Sequence, residues 1–183
     1  TVGGNINLAV GGEPIFPFIP KDILAGQYRG KWENTPDGPA AWRRGAVLGG
    51  CQFVAGYPMT PATSILDYFV ALAQGLPLHF EQAEDEIAAI NMVLGASYAG
   101  LRAMAATAGG GFALMQEGVS LAGMTETPVV IAVAQRPGPA TGLPTRTEQG
   151  ELTFVIHAGH GEFARPVFAP GDVPECFHLT RKA

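Results

Sequence analysis

The sequence predicts an α/β domain built on a mostly parallel sheet with helices on both faces. Three observations carry that expectation. TPVVIAVAQ, Thr127 to Gln135, is a nearly continuous β-branched run of the kind used by parallel strands covered on both sides. From Gly45 onward, short apolar runs alternate with longer segments of helical spacing, the order that generates right-handed strand–helix–strand units. Glycine and proline mark the passages between them, at GYP, GGG and PGP.

Composition bounds the function. The chain has 183 residues, 47% of them hydrophobic, enough for one domain with a full core. A net charge of -5 with eleven Lys plus Arg leaves no cationic surface of the kind nucleic acid requires. No apolar run reaches the roughly 18 residues of a membrane span. The opening TVGGNINLAVGG lacks the basic start and apolar core of a signal peptide, so a cytoplasmic protein is expected. Cys51 and Cys176 form no C-x-x-C pair and read as small buried hydrophobes. An iron–sulfur cluster, if the activity needs one, must therefore sit on another chain.

Residues 1–44 read as an irregular N-terminal arm or insertion. Pro14, Pro17, Pro20, Pro36 and Pro39 interrupt regular structure there, and EPIFPFIP offers apolar side chains on an extended backbone suited to docking on a neighbour. Residues 45–183 read as the domain proper. It starts with a short strand at Cys51 to Ala55 and a tight turn through Gly56, Tyr57 and Pro58. SILDYFVALAQGL then predicts a helix with Ser64 as N-cap, Ile65, Phe69 and Leu72 on its buried face, and an end near Gly75. LHFEQ is a short strand. LRAMAATAGGGFALMQEGVSLAG reads as strand, glycine turn and helix, with Gly109, Gly110 and Gly111 allowing backbone N–H groups to approach a ligand. The G-K-[ST] ending of a nucleotide P-loop is missing. After the TPVVIAVAQ strand comes a long loop, PGPATGLPTRTEQGE, at the strand end where open α/β sheets bind ligands. RPVFAPGDVPECFHLTRKA gives a strand, a loop and a helix capped by Asp172.

Between the strands at LHFEQ and LRAMAATA lies the most informative stretch, EQAEDEIAAINMVLGASYAG. Ile87, Ile90, Leu94 and Tyr98 recur at helical spacing and predict one apolar face. Ala88, Ala89, Gly95 and Ala96 keep the rest of the helix thin, open to close approach by another backbone or a flat ligand. Glu84, Asp85 and Glu86 stand at its start. Acids there stabilise the helix dipole by roughly 0.3–1 kcal/mol each, which is reason enough for their presence. It does not explain the order E-x-x-A-x-x-x-x-x-G-A that begins at Glu86. That order is similar to the helix which, in many thiamine-diphosphate enzymes, follows a glutamate hydrogen-bonded to N1′ of the cofactor's aminopyrimidine. A carboxyl with that task needs a partly apolar wall to raise its pKa so that it can share a proton with the ring.

Taken together, GYPMTPATSILDYF, QAEDEIAAINMVLGASYAG, TAGGGFALMQEGVSLAGMTETPVVI, QRPGPATGLPTRTEQGEL and GHGEFARPVFAPGD resemble the alpha subunit, or pyrimidine-binding domain, of 2-oxoacid:ferredoxin oxidoreductases. The QAEDE form is most similar to the 2-oxoglutarate or general 2-oxoacid lineage. The resemblance implies CoA-dependent oxidative decarboxylation of a 2-oxoacid to acyl-CoA, with electrons passed to ferredoxin. It implies thiamine diphosphate as cofactor, its diphosphate and Mg2+ held mainly by a beta subunit that also carries a four-iron four-sulfur cluster. The chain would then work in a hetero-oligomer and supply half of a site. By the same resemblance Glu86 faces the aminopyrimidine, Thr60 and Arg136 bind the substrate carboxylate, and Tyr57 and Pro58 shape the turn beside the cofactor, with Gly109 and Gly110 near it. Arg146 is a candidate second cation for the distal carboxylate of 2-oxoglutarate.

Two departures from the family pattern stand out. GNINLAVGG resembles the family's opening, but an unrelated stretch separates it from GAVLGGCQFVAGYP, so either an arm is inserted or the first match is fortuitous. The family also continues beyond the equivalent of Ala183, so a partial chain is expected. Two other functions remain open: the pyrimidine domain of another thiamine-diphosphate decarboxylase or transketolase-like enzyme, and a non-catalytic assembly subunit. His157, His160 and Glu162 lie near one another in sequence, but Gly159 and Gly161 break the helix that would align them, and no metal site is expected.

Overall fold

The computed structural model describes residues 6–12 and 45–183. Six strands form one sheet: β1 (Ile6–Gly12), β2 (Phe53–Gly56), β3 (His79–Gln82), β4 (Ala103–Ala108), β5 (Val129–Gln135) and β6 (Val167–Phe168). Their spatial order is β3-β2-β4-β5-β1-β6, and all five pairings are parallel. The helices are α1 (Thr63–Ala73), α2 (Glu86–Tyr98), α3 (Gly109–Leu114), α4 (Gln116–Met124), α5 (Leu152–Ile156) and α6 (Val173–Lys182).

Helices do cover both faces, and alternating strand residues show it. Ala55, Ala103, Ala105, Ile131 and Val133 pack with α2, α3, α4 and α5 through Ile90, Val93, Phe112, Val119 and Val155. Their neighbours Val54, Met104, Ala106 and Ala132 point the other way and pack with α1 and α6 through Leu66, Phe69 and Cys176. Small strand residues let the helices sit close. A Cβ on Gly56 would come within 2.7 Å of Leu66, and one on Gly118 within 2.7 Å of Ile90, so α1 rests directly on β2 and α4 directly on α2.

Several local expectations change. Within the region read as irregular, Ile6–Gly12 is a strand inside the sheet, paired with β5 on one side and β6 on the other. The EPIFPFIP arm lies outside the described residues. The strand expected at Cys51 to Ala55 starts and ends later, at Phe53–Gly56. Ser64 does not cap α1. The helix begins at Thr63 after Ala62, and the Ser64 hydroxyl donates back to the Pro61 carbonyl at 3.2 Å. Asp172 does cap α6, accepting from the Glu175 N–H at 2.7 Å. That helix runs for ten residues.

The largest change is the face of α2. Ile90 and Leu94 are buried as expected, but the buried side is completed by Glu86, Ala89, Val93 and Ser97. Ile87 is 50% exposed and Tyr98 83% exposed. Ile90 and Leu94 therefore share the side that lies on β2 and β4 with the smaller Ala89, Val93 and Ser97, and Ile87 and Tyr98 fall beyond its edge. Gly95 faces open space, and the close approach expected there occurs at Gly118 instead.

Candidate functional site

The three acids before α2 separate into three roles. Asp85 is the N-cap, its carboxylate accepting the Ala88 N–H at 2.7 Å. Glu84 is exposed. Glu86, the first helical residue, turns inward and is 2% exposed, and its Oε1 has no hydrogen-bond partner. Burial pushes the Glu86 carboxyl above its ordinary range, and the nearby Asp85 charge adds to the rise. Its own backbone N–H and the Arg136 guanidinium oppose that rise. Helix-end electrostatics therefore account for Asp85 but not for Glu86, whose burial costs stability unless another group meets it.

Room for that carboxyl comes from the glycine run. No turn intervenes after β4: Ala108 is extended, and Gly109 to Gly111 are the first three residues of α3. A Cβ on Gly111 would lie 2.5 Å from Glu86 Oε1 and 2.1 Å from the Thr107 hydroxyl oxygen. A Cβ on Gly109 would lie 2.2 Å from Glu151 Oε1, so a second carboxyl occupies the space on the other side of the run. Gly110 is partly exposed and meets the Ala140 carbonyl.

Arg136 follows β5 and is 5% exposed. Its Nη1 donates to the Thr60 carbonyl at 2.6 Å, and its Nε is buried without a partner. The structure thus brings Thr60 and Arg136 into contact and sets Glu86 within the field of that arginine. Tyr57 and Pro58 follow β2 and are exposed. Arg146 is exposed on the loop after β5, its backbone N–H bonded to the Leu143 carbonyl at 2.9 Å.

Sequence reading missed Gln135 and Glu151, and it took Gly111 only as part of the glycine run that admits a ligand, not as the space that Glu86 fills. Gln135 is 2% exposed, and its Oε1 accepts the Glu151 N–H at 3.0 Å. The Glu151 carboxylate faces the Arg136 backbone N–H, which favours its charged form, while its Oε2 is buried without a partner. Burial raises the Glu151 pKa to about 7, with Glu148 adding to the rise and Arg136 opposing it. A cavity of about 440 Å³ opens beside it, lined by Gly109, Gly110, Pro139, Ala140, Glu151 and Phe154 among others. A polar residue ending a buried strand, with an acid just after a glycine-rich loop, was the available signal.

Among the described residues no group of three or more His, Cys, Asp or Glu is placed to hold a metal ion. The loop carrying His157 and His160 is pinned to α4 instead: the Gly159 N–H donates to Gln116 Oε1 at 2.6 Å and the His160 N–H to the Ser120 hydroxyl at 3.0 Å. A second cavity, of about 380 Å³, lies at the amino ends of β4 and β5 beside Cys51 and Arg102. Burial raises the Cys51 thiol to about 11, the wrong state for a nucleophile. No helix among the described residues is long and apolar enough to cross a membrane.

Residues 44–183 match the family model described as pyruvate flavodoxin/ferredoxin oxidoreductase, thiamine diphosphate-binding. The chain is 44% identical over 146 residues to 2-oxoglutarate synthase subunit KorA of Methanothermobacter marburgensis, covering 80% of this chain and 39% of that one. It is 48% identical over 153 residues to 2-oxoacid:ferredoxin oxidoreductase 1, subunit alpha, of Sulfurisphaera tokodaii, covering 77% and 24%. It superposes with a TM-score of 0.77, at 46% identity, on a chain of the Magnetococcus marinus 2-oxoglutarate:ferredoxin oxidoreductase whose structure holds 2-oxoglutarate, coenzyme A and succinyl-CoA. That match covers 80% of this chain and 26% of the solved one. The chain thus spans well under half the length of these relatives. On the family match and on the relatives that share it, the chain belongs to the thiamine-diphosphate-binding domain family of pyruvate flavodoxin/ferredoxin oxidoreductases.

Proposed function

We propose that this chain supplies the aminopyrimidine side and the substrate-carboxylate side of the active site in a 2-oxoacid:ferredoxin oxidoreductase. In that reaction a 2-oxoacid, CoA and two oxidised ferredoxins give acyl-CoA, CO2, a proton and two reduced ferredoxins. The reading rests on one observation. Two buried groups of opposite charge each present an unpartnered atom, Glu86 Oε1 and Arg136 Nε, at the carboxyl end of one parallel sheet.

Each atom has a fitting partner. A carboxyl held above its ordinary pKa by burial can share its proton with a ring nitrogen, as Glu86 would with the aminopyrimidine N1′. Gly111 keeps that carboxyl in place by presenting no side chain to it. Bound thiamine diphosphate would supply the nucleophilic carbon that attacks the 2-oxo group. Arg136, with Nη1 committed to the Thr60 carbonyl, keeps Nε for the planar carboxylate of the substrate, which a guanidinium edge binds in a fixed orientation. The Thr60 hydroxyl lies on the same turn and adds a second polar contact.

Partner chains complete the assembly: a beta subunit holding the diphosphate, Mg2+ and a four-iron four-sulfur cluster, with ferredoxin as electron acceptor, in the cytoplasm. Tyr57 and Pro58 shape the turn beside the cofactor, and Gly109 and Gly110 line the adjoining cavity. Similarity to 2-oxoglutarate enzymes supports 2-oxoglutarate or a related 2-oxoacid as substrate. Arg146 would reach a distal carboxylate only if its exposed loop folded inward.

The test is reduction of ferredoxin or a viologen by the complex purified anaerobically with its natural partners, given thiamine diphosphate, Mg2+, CoA and a panel of 2-oxoacids. Turnover should depend on one acid and fall by about 10²–10⁴ in Glu86→Gln, the contribution of a positioned acid–base group. Full turnover in Glu86→Gln would sink the assignment. Bound cofactor with no activity toward any 2-oxoacid would indicate another thiamine enzyme, and absence of cofactor binding an assembly subunit.

A further inference from the structure

We propose that Glu151 is a positioning residue that clamps the end of β5 and so aims the Arg136 guanidinium at the substrate carboxylate. The proposal rests on the reading of Arg136 given above. It comes from a reciprocal pair of contacts between the end of β5 and the residue that opens α5. The side chain of Gln135 accepts the backbone N–H of Glu151 at 3.0 Å, and the side chain of Glu151 in turn faces the backbone N–H of Arg136. Each segment therefore holds the other at two points, and the intervening loop, 137–150, is closed across them.

Four further features set this clamp apart from ordinary loop anchoring. Glu151 immediately precedes α5, yet its side chain makes no capping bond to that helix. It is turned toward β5 instead. Gly109 leaves the carboxyl its place, since any side chain there would overlap Oε1, Cγ and Cδ at 2.2 to 2.6 Å. One carboxyl oxygen, Oε2, is sealed without a partner, a burial that costs stability and that a loop anchor does not need. Gln135 is itself almost wholly buried, so the clamp cannot relax into solvent.

The consequence for Arg136 is mechanical. Its backbone N–H is fixed by Glu151 and its Nη1 by the Thr60 carbonyl, so both ends of the residue are held while Nε stays free. Loss of the backbone tie lets the strand end shift, and a guanidinium misplaced by about 1 Å forfeits much of its oriented contact.

The experiment uses the complete complex and compares Glu151→Ala, Glu151→Gln and Arg136→Lys in steady-state dye reduction. Glu151→Ala should raise KM for the 2-oxoacid by about tenfold, lower kcat by less than about threefold, and leave KM for CoA unchanged. Glu151→Gln keeps a carbonyl oxygen to accept the Arg136 N–H and should bring KM back to within about threefold of wild type. A merely structural role would lower the yield of assembled complex and leave both KM values of the remainder intact, and that result overturns the proposal. Equal rises in both KM values, or a glutamine variant no better than alanine, overturn it as well. If Glu151→Ala does not assemble, Gly109→Ala displaces the same carboxyl and should reproduce the selective KM rise; an unchanged KM there refutes the clamp. Arg136→Lys separates the two layers. No KM change in that variant removes the underlying reading of Arg136, whereas a KM change there without one in the Glu151 variants removes only the clamp.

Discussion

Replacing Gly111 by alanine would test how the glycine run controls the buried carboxyl. The added Cβ would stand 2.5 Å from Glu86 Oε1 and 2.7 Å from its Cγ, where ordinary contact starts near 3.4 Å. The side chain must therefore retreat by roughly 0.7 to 0.9 Å, close to the 1 Å misplacement that can cost about 10² in rate. Retreat into solvent is blocked, because Glu86 is 2% exposed, and Thr107, at 2.1 Å from the same Cβ, is fully buried. Folding should survive. Overpacking costs about 1–3 kcal/mol, and alanine in place of glycine inside a helix returns about 1 kcal/mol. The measurement is kcat of the assembled complex at saturating acid and CoA, with a thermal melt alongside. We expect kcat to fall by about 10² with a melting shift of only a few degrees. A folded complex whose kcat stays within about threefold of wild type would refute the placement of Glu86 at the cofactor.

Three other outcomes follow from the same contacts. Asp85→Ala removes the cap of α2 and should cost about 1 kcal/mol in chemical denaturation, whereas Asp85→Asn, which keeps the acceptor, should cost a few tenths at most. Gly118→Ala drives a methyl into Ile90 and should destabilise the domain by about 1–3 kcal/mol; an unchanged midpoint would show that α2 and α4 can separate freely. The pH dependence has a definite sign. Folded Glu151 titrates near 7 against an ordinary 4.5, so between those values the folded state holds more protons than the unfolded one, and stability falls as pH rises through that window. Glu86 is shifted in the same direction. Melts of wild type and Glu151→Gln should therefore diverge in favour of the variant from about pH 4.5 to 7 and run parallel above, and a difference constant with pH would contradict the buried position of the carboxyl.

Period and punctuation made the strands and most helices of 45–183 legible, because a doubly covered sheet demands long apolar runs and its connections demand glycine or proline. Asp172 was legible for a similar reason, since capping is chemistry local to one turn. Ser64 failed on the same ground: Thr63 and Ser64 both offer a hydroxyl, and packing of Ala62 against the sheet decided where the helix starts. On α2 Ile90 and Leu94 were legible but Ile87 and Tyr98 misled, because the helix is rotated so that Glu86, Val93 and Ser97, rather than those two, complete the side against the sheet. Ile6–Gly12 was hidden for a related reason. A strand followed by proline-rich sequence gains its pairing from β5 and β6, which are far away along the chain.

Glu86, Thr60 and Arg136 were named by resemblance, but why they meet follows from strand order. In the sheet β3-β2-β4-β5, the connection leaving β2 goes to β3 on one side and that leaving β4 goes to β5 on the other, so a crevice opens between the carboxyl ends of β2 and β4. Four adjacent strands each deliver one part to it: Glu86 comes after β3, Thr60 after β2, Gly111 after β4 and Arg136 after β5. The contacts cross over, because Glu86 reaches past β2 to Gly111 and Arg136 reaches past β4 to Thr60. Each outer strand thus sends its charged side chain over an inner neighbour toward the crevice, and only a small residue after β4 and a backbone carbonyl after β2 leave room for both. That requirement makes glycine at 111 a condition of the site. Thr60 is different, since its hydroxyl can change without touching the carbonyl that holds Arg136. A Thr60→Val variant should therefore keep the arginine in place, and under the proposed role of the hydroxyl it should raise KM for the 2-oxoacid in steady-state dye reduction without loss of assembled complex.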